Sequence, residues 1–136
     1  MRRLYIGLAC LAVVAAVVII GVILAYRQAQ VDEYGSVVDM QGKSNVSVVL
    51  TAQGFQPREI RITQGTTVTF STTRNEPFWP ASDPHPTHTD YPQFDPKVPI
   101  DSKASWSFVF ARVGSWGYHD HVRSYFTGTI YVVPQS

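Results

Sequence analysis

The chain has 136 residues, with 11 Lys and Arg against 10 Asp and Glu, a formal net charge of +1, four histidines and a single cysteine. So even a charge balance offers no electrostatic case for nucleic-acid binding. With Cys10 as its only thiol, the chain forms no internal disulfide, and past residue 10 any site must be built from imidazole, carboxylate or neutral oxygen.

Residues 4–26, LYIGLACLAVVAAVVIIGVILAY, carry no charge. At about 1.5 Å rise per residue, a helix of this length crosses a ~30 Å hydrocarbon core. It exceeds the ~7–15 apolar residues of a secretory signal core. The segment 1–26 is therefore expected to be a single-pass membrane anchor, or an uncleaved signal. Arg2 and Arg3 precede it and Arg27 follows it, so the charge bias places residues 27 onward outside the cytoplasm. Beyond the anchor the balance is nine basic to ten acidic side chains.

Residues 27–44 lack a sustained period and are read as a linker, with room for an early strand near its end. From Asn45 to Ser136 the texture is that of a β domain. NVSVVLTAQGF alternates and is β-branched, and REIRITQGTTVTFST gives two short strands about a Gln64-Gly65 turn. SKASWSFVF and TGTIYVV supply further strands, the first with Trp106, Phe108 and Phe110 on one face and Ser105, Ser107 and Val109 on the other. Short strands between turn signals predict an antiparallel β-sandwich.

Residues 75–101 interrupt this pattern with seven prolines, which exclude a central strand or a long helix. The aromatics Phe78, Trp79, Tyr91 and Phe94 argue against disorder. The segment is expected to be a packed, proline-stiffened loop, a kind that is commonly functional.

The four histidines fall in two tight pairs, HPTH in that loop and HDH before the last strand. Strand alternation puts His119 and His121 on one face about 7 Å apart, and sends Asp120 to the other. His85 and His88, three apart around Pro86, can point one way from a turn. If the loop folds over the strand end, four neutral imidazoles surround one metal ion. Nitrogen ligands without sulfur suit Cu(II) and Zn(II), and the affinity order favours copper. Asp83, Asp90 and Asp120 are candidate fourth ligands, or acceptors that fix a ring tautomer. Trp79, Trp116 and Tyr118 are candidates to wall the site from water, and Arg123 reads as a solvated surface residue.

Over about residues 45–133 the sequence resembles a cupredoxin, on the segments GFQPREIRITQGTTVTF, DSKASWSFVFARVGSWGYHDH and GTIYVV. The resemblance implies a Greek-key β-sandwich. In ordinary blue-copper members, the loop before the last strand supplies Cys, His and Met ligands, and an earlier loop supplies another His. Aligned on Gly128-Thr129-Ile130, this chain has Asp120 at the Cys, Arg123 at the second His and Phe126 at the Met, while Phe78 falls near the earlier His. Blue-copper electron transfer is therefore not implied. GSWGYHDH…GTIYVV is similar to the WYHSH…G segment of multicopper oxidases, in which both histidines bind copper, and so implies His119 and His121 as copper ligands. The Cys-containing site of those oxidases has no counterpart here.

The expected function is a membrane-anchored, extracytoplasmic metal-binding protein that captures or delivers a metal ion. That metal is copper, with zinc as the alternative, held by His85, His88, His119 and His121. Two other readings fit the same residues. One is a mononuclear copper redox enzyme or zinc hydrolase with an open coordination position. The other is a metal-free adhesion or partner-binding β-sandwich, which the fold alone does not exclude.

Overall fold

A computed structural model describes residues 16–24 and 36–135. Residues 16–24 are helical and exposed throughout. The rest of the expected anchor, and with it the predicted span, lies outside the described residues. Among those described, no helix is long and apolar enough to cross a membrane. A separate compact unit begins at Val37 and contains all the strands described here.

Among the described residues nine strands follow in chain order: β1 (Val38–Asp39), β2 (Asn45–Thr51), β3 (Gly54–Gln56), β4 (Glu59–Thr63), β5 (Thr67–Thr72), β6 (Pro80–Ser82), β7 (Trp106–Val109), β8 (Gly114–Asp120) and β9 (Arg123–Val133). They form a five-stranded sheet in the order β1-β4-β9-β8-β6 and a four-stranded sheet in the order β3-β2-β5-β7. β1 falls within the segment read as a linker, and Met40 just after it packs against the core.

Period-two alternation gives each sheet one apolar face. Val46, Val48 and Leu50 of β2 and Val68 and Phe70 of β5 point inward from one sheet. Ile60 and Ile62 of β4 and Ile130 and Val132 of β9 point inward from the other. Trp106 and Phe108 lie on the inner face of β7, with Ser107 and Val109 exposed, as the sequence predicts.

The antiparallel expectation holds only in part, because β2 pairs with β5, β4 with β9 and β1 with β4 in parallel. The cause lies at Gln64-Gly65. Thr66 N donates to Thr63 O to close this turn, and Gly65 takes φ +89°, a conformation that favours glycine. The turn does not make a hairpin. It carries the chain from β4 in one sheet to β5 in the other, so each strand finds a parallel partner in its own layer.

The proline-rich loop is packed, as expected, with Phe78, Tyr91 and Phe94 buried in the core. It also contains one short strand. β6 opens on Pro80 and lies at the sheet edge, where a missing N–H is tolerated. It pairs antiparallel with β8, placing Ala81 opposite His119 and Ser82 opposite Tyr118. This pairing brings the loop histidines to the end of β8.

Candidate metal centre

His119 is the penultimate residue of β8, and the β8–β9 register shifts between His119 and Asp120. Because of that irregularity His121 lies in the turn beyond the strand rather than in the strand itself. The two rings still converge, with centroids 6.2 Å apart. Asp120 turns the other way, as alternation predicts, and is fully buried.

His85 and His88 come from a turn tied at both ends. Asp83 N donates to Gly117 O at 3.0 Å, Asp90 N to Asp83 O at 2.9 Å, and His88 N to Pro84 O at 2.9 Å. His88 adopts φ +53°, a left-handed conformation uncommon for a side-chain-bearing residue and one that clusters at functional sites. It turns the ring of His88 inward, where only 4 % of the residue is exposed.

The four histidines meet. One ring nitrogen from each of His85, His88, His119 and His121 lies within 4.8 Å of the others. His85 Nδ1 is 3.2 Å from His119 Nε2, and His88 Nε2 is 2.8 Å from His121 Nδ1. Four bonds of about 2.0–2.1 Å to one ion would hold all four nitrogens within about 4.2 Å, so the set needs only a small contraction to close.

Two carboxylates fix the rings from behind. His119 Nδ1 donates to Asp83 at 2.7 Å and His88 Nδ1 donates to Asp95 at 2.6 Å. Each bond places the proton on Nδ1 and leaves the Nε2 lone pair facing the centre. Burial lowers the pKa of His119, outweighing the opposing pull of Asp83, and burial also lowers that of His121. Both shifts favour the neutral form that ligates.

Of the three carboxylates named from sequence, only Asp83 touches a ring. Asp90 is exposed, with its amide tied to Asp83 O. Asp120 accepts from Trp79 N at 2.8 Å and from Arg123 Nε at 3.0 Å on the far side of the strand. Asp95 is the acceptor that sequence reasoning missed. Burial alone would raise its carboxyl pKa, but hydrogen bonds from Lys97, His88 and Trp79 outweigh burial and hold it well below the usual carboxylate range.

Among the aromatics, Trp79 walls the site. Its ring centroid is 4.5 Å from that of His121, its Nε1 donates to Asp95 Oδ1 at 2.8 Å, and its carbonyl accepts from His121 N at 2.7 Å. Trp116 packs instead against Tyr91 and the Arg112 guanidinium, and Tyr118 packs in the core against Phe55, Phe70 and Phe94. Alternation along β8 sends both away from His119.

Comparison with solved structures identifies the architecture. A purple cupredoxin from Nitrosopumilus maritimus superposes with a TM-score of 0.52 at 17% identity, over 65% of this chain and 99% of that one. Plastocyanin from Dryopteris crassirhizoma gives 0.54 at 15% identity, over 65% of this chain and all of the other. The domain has the cupredoxin fold. A Cu-containing nitrite reductase from Thermus scotoductus gives 0.55 at 19% identity over 68% of this chain, but the match spans only 23% of that enzyme. No family model and no curated protein matches the sequence.

In this cupredoxin-fold domain, the residues that the sequence resemblance sets against blue-copper ligands make other contacts. Phe78 is wholly buried in the core. The Arg74 guanidinium lies 5.4 Å over the ring of Phe126. Arg123, expected at the surface, has a side chain only 13% exposed, because it bridges Asp120, Glu76 and the Pro77 carbonyl.

Proposed function

We propose that this divergent cupredoxin-fold protein binds one copper ion through His85, His88, His119 and His121, and captures or delivers it. The observation that carries the reading is the inward convergence of four imidazole nitrogens, with two of the rings locked by Asp83 and Asp95. Such a set has no thiolate or thioether and so favours Cu(II) over Cu(I). Met40 packs against the core with β1 and is not part of the site. Binding of the metal as cargo also explains why all four donors come from protein side chains. The copper named in the nitrite reductase supports copper over zinc.

The apolar segment 4–26 and its flanking charges support attachment to the cell membrane, with the domain on the extracytoplasmic side. The test of the metal reading is titration of the full chain with Cu(II) and with Zn(II). Saturation at one equivalent of Cu(II), lost when His119 and His121 are replaced together, is the expected result. Failure to bind copper, or tighter binding of zinc, would overturn it.

A further inference from the structure

The four histidines are not held alike. His88 is anchored by Asp95 at 2.6 Å and is buried. His119 is anchored by Asp83 at 2.7 Å and is buried to 1% exposure. His121 is half-buried, with its ring against Trp79 and its amide on the Trp79 carbonyl. His85 is exposed. Its only polar ring contact among the described residues is His119 Nε2, at 3.2 Å the longer of the two ring–ring hydrogen bonds. It sits between Pro84 and Pro86 at the outer part of the turn, and both neighbours are exposed too.

The consequences of moving each ring differ accordingly. Turning His88 or His119 out breaks a bond to a carboxylate and opens a buried space. Turning His121 out breaks its packing on Trp79. Turning His85 out breaks the 3.2 Å contact with His119 and the ring contacts with His119 and His121, but no bond to a carboxylate. With His119 Nδ1–H committed to Asp83, His119 Nε2 is the acceptor in its contact with His85. His85 therefore carries its own proton on Nδ1 until a metal ion takes that place.

We propose that His85 is the exchangeable ligand of the centre. In this scheme His88, His119 and His121 form a fixed three-nitrogen seat, and copper enters and leaves on the side that His85 closes. A donor from outside, either an imidazole or carboxylate of an accepting protein or a small ligand of that chemistry, takes the position that His85 vacates. This rests on the copper reading above, and it specifies how a site closed by four protein nitrogens can still hand its ion on.

The experiment uses the full chain loaded with Cu(II), followed by nitrogen-resolved electron paramagnetic resonance and by the rate of copper transfer to a competing chelator. The expected result for His85→Ala is retained one-to-one binding, one fewer coordinated imidazole that added free imidazole restores, and transfer faster by at least about tenfold. His88→Gln and His119→Gln, checked by circular dichroism for an intact fold, are expected to lose tight binding. If His119→Gln fails to fold, His88→Gln alone provides the comparison. The proposal is overturned if His85→Ala loses binding as completely as His88→Gln, or if it releases copper no faster than the unaltered chain. Absence of copper binding in the unaltered chain would instead remove the copper reading itself.

Discussion

The Asp83 carboxylate lies directly over Gly117 and from there accepts a hydrogen bond from His119 Nδ1–H. A β-carbon at position 117 would overlap the Asp83 side chain, so the missing side chain on β8 is what lets the loop carboxylate approach. Gly117→Ala is therefore expected to displace Asp83 and free the His119 ring. Copper affinity should fall about 10–100-fold, and Asp83→Ala should reproduce the loss. A competition assay measures both. Unchanged affinity in Gly117→Ala would show that Asp83 does not position the ligand.

The tie between Asp95 and His88 leads to a second expectation. One carboxylate accepts from His88 Nδ1, Trp79 Nε1, the Lys97 amide and Lys97 Nζ. Asp95→Ala leaves the His88 and Trp79 donors without an acceptor. It should destabilise the metal-free domain by about 2 kcal/mol and weaken copper binding as well. Chemical denaturation reads the first effect and copper competition the second. Loss of affinity with stability unchanged would mean that Asp95 serves the metal alone and not the loop.

How much of this was legible in the sequence depends on the distance over which each contact acts. The histidine pairs could be read because the chain places all four in two short segments, and a β-sandwich can bring a loop to a strand end. The exclusion of Trp116 and Tyr118 was also readable, since both differ in parity from His119 along one strand. Asp95 was not. It lies seven residues past His88, and nothing local distinguishes it from Asp90, which faces solvent. The parallel pairings of β2 with β5 and β4 with β9 were equally hidden, because they depend on the Gln64-Gly65 turn crossing between layers rather than reversing within one. Arg123 looked like a surface residue because its three partners, Glu76, Pro77 and Asp120, come from two separate segments.

Acid should weaken the metal-free domain. The folded-state pKa values of His119 and His121 are lowered, chiefly by burial, so near pH 6.5 the unfolded chain takes up protons before the folded one does. The stability they contribute is complete above about pH 6.5 and falls as the pH drops toward their folded-state values. The melting temperature of the metal-free chain should therefore decline between about pH 7 and 5. His119→Gln should flatten that decline. Copper should raise the melting temperature most above this window, because protons compete for the same nitrogens. A melting temperature independent of pH from 8 to 5 would contradict neutral, buried rings.

The Asp120–Arg123 pair gives a fourth expectation. Asp120 is wholly buried, and Arg123 donates to it at 3.0 Å while also bridging Glu76 and the Pro77 carbonyl. Removing Arg123 alone strands a buried carboxylate, and Arg123→Ala should destabilise the domain by about 3 kcal/mol. Asp120→Asn keeps an acceptor for the Trp79 amide and removes the charge. The double variant Asp120→Asn/Arg123→Ala should therefore be more stable than Arg123→Ala, with a coupling of about 1–3 kcal/mol in the double-mutant cycle. Copper stoichiometry should stay at one in all three variants, because the pair faces away from the imidazoles. Strictly additive losses would show that the two side chains act independently, and loss of copper in the double variant would show that the pair shapes the His119–His121 turn.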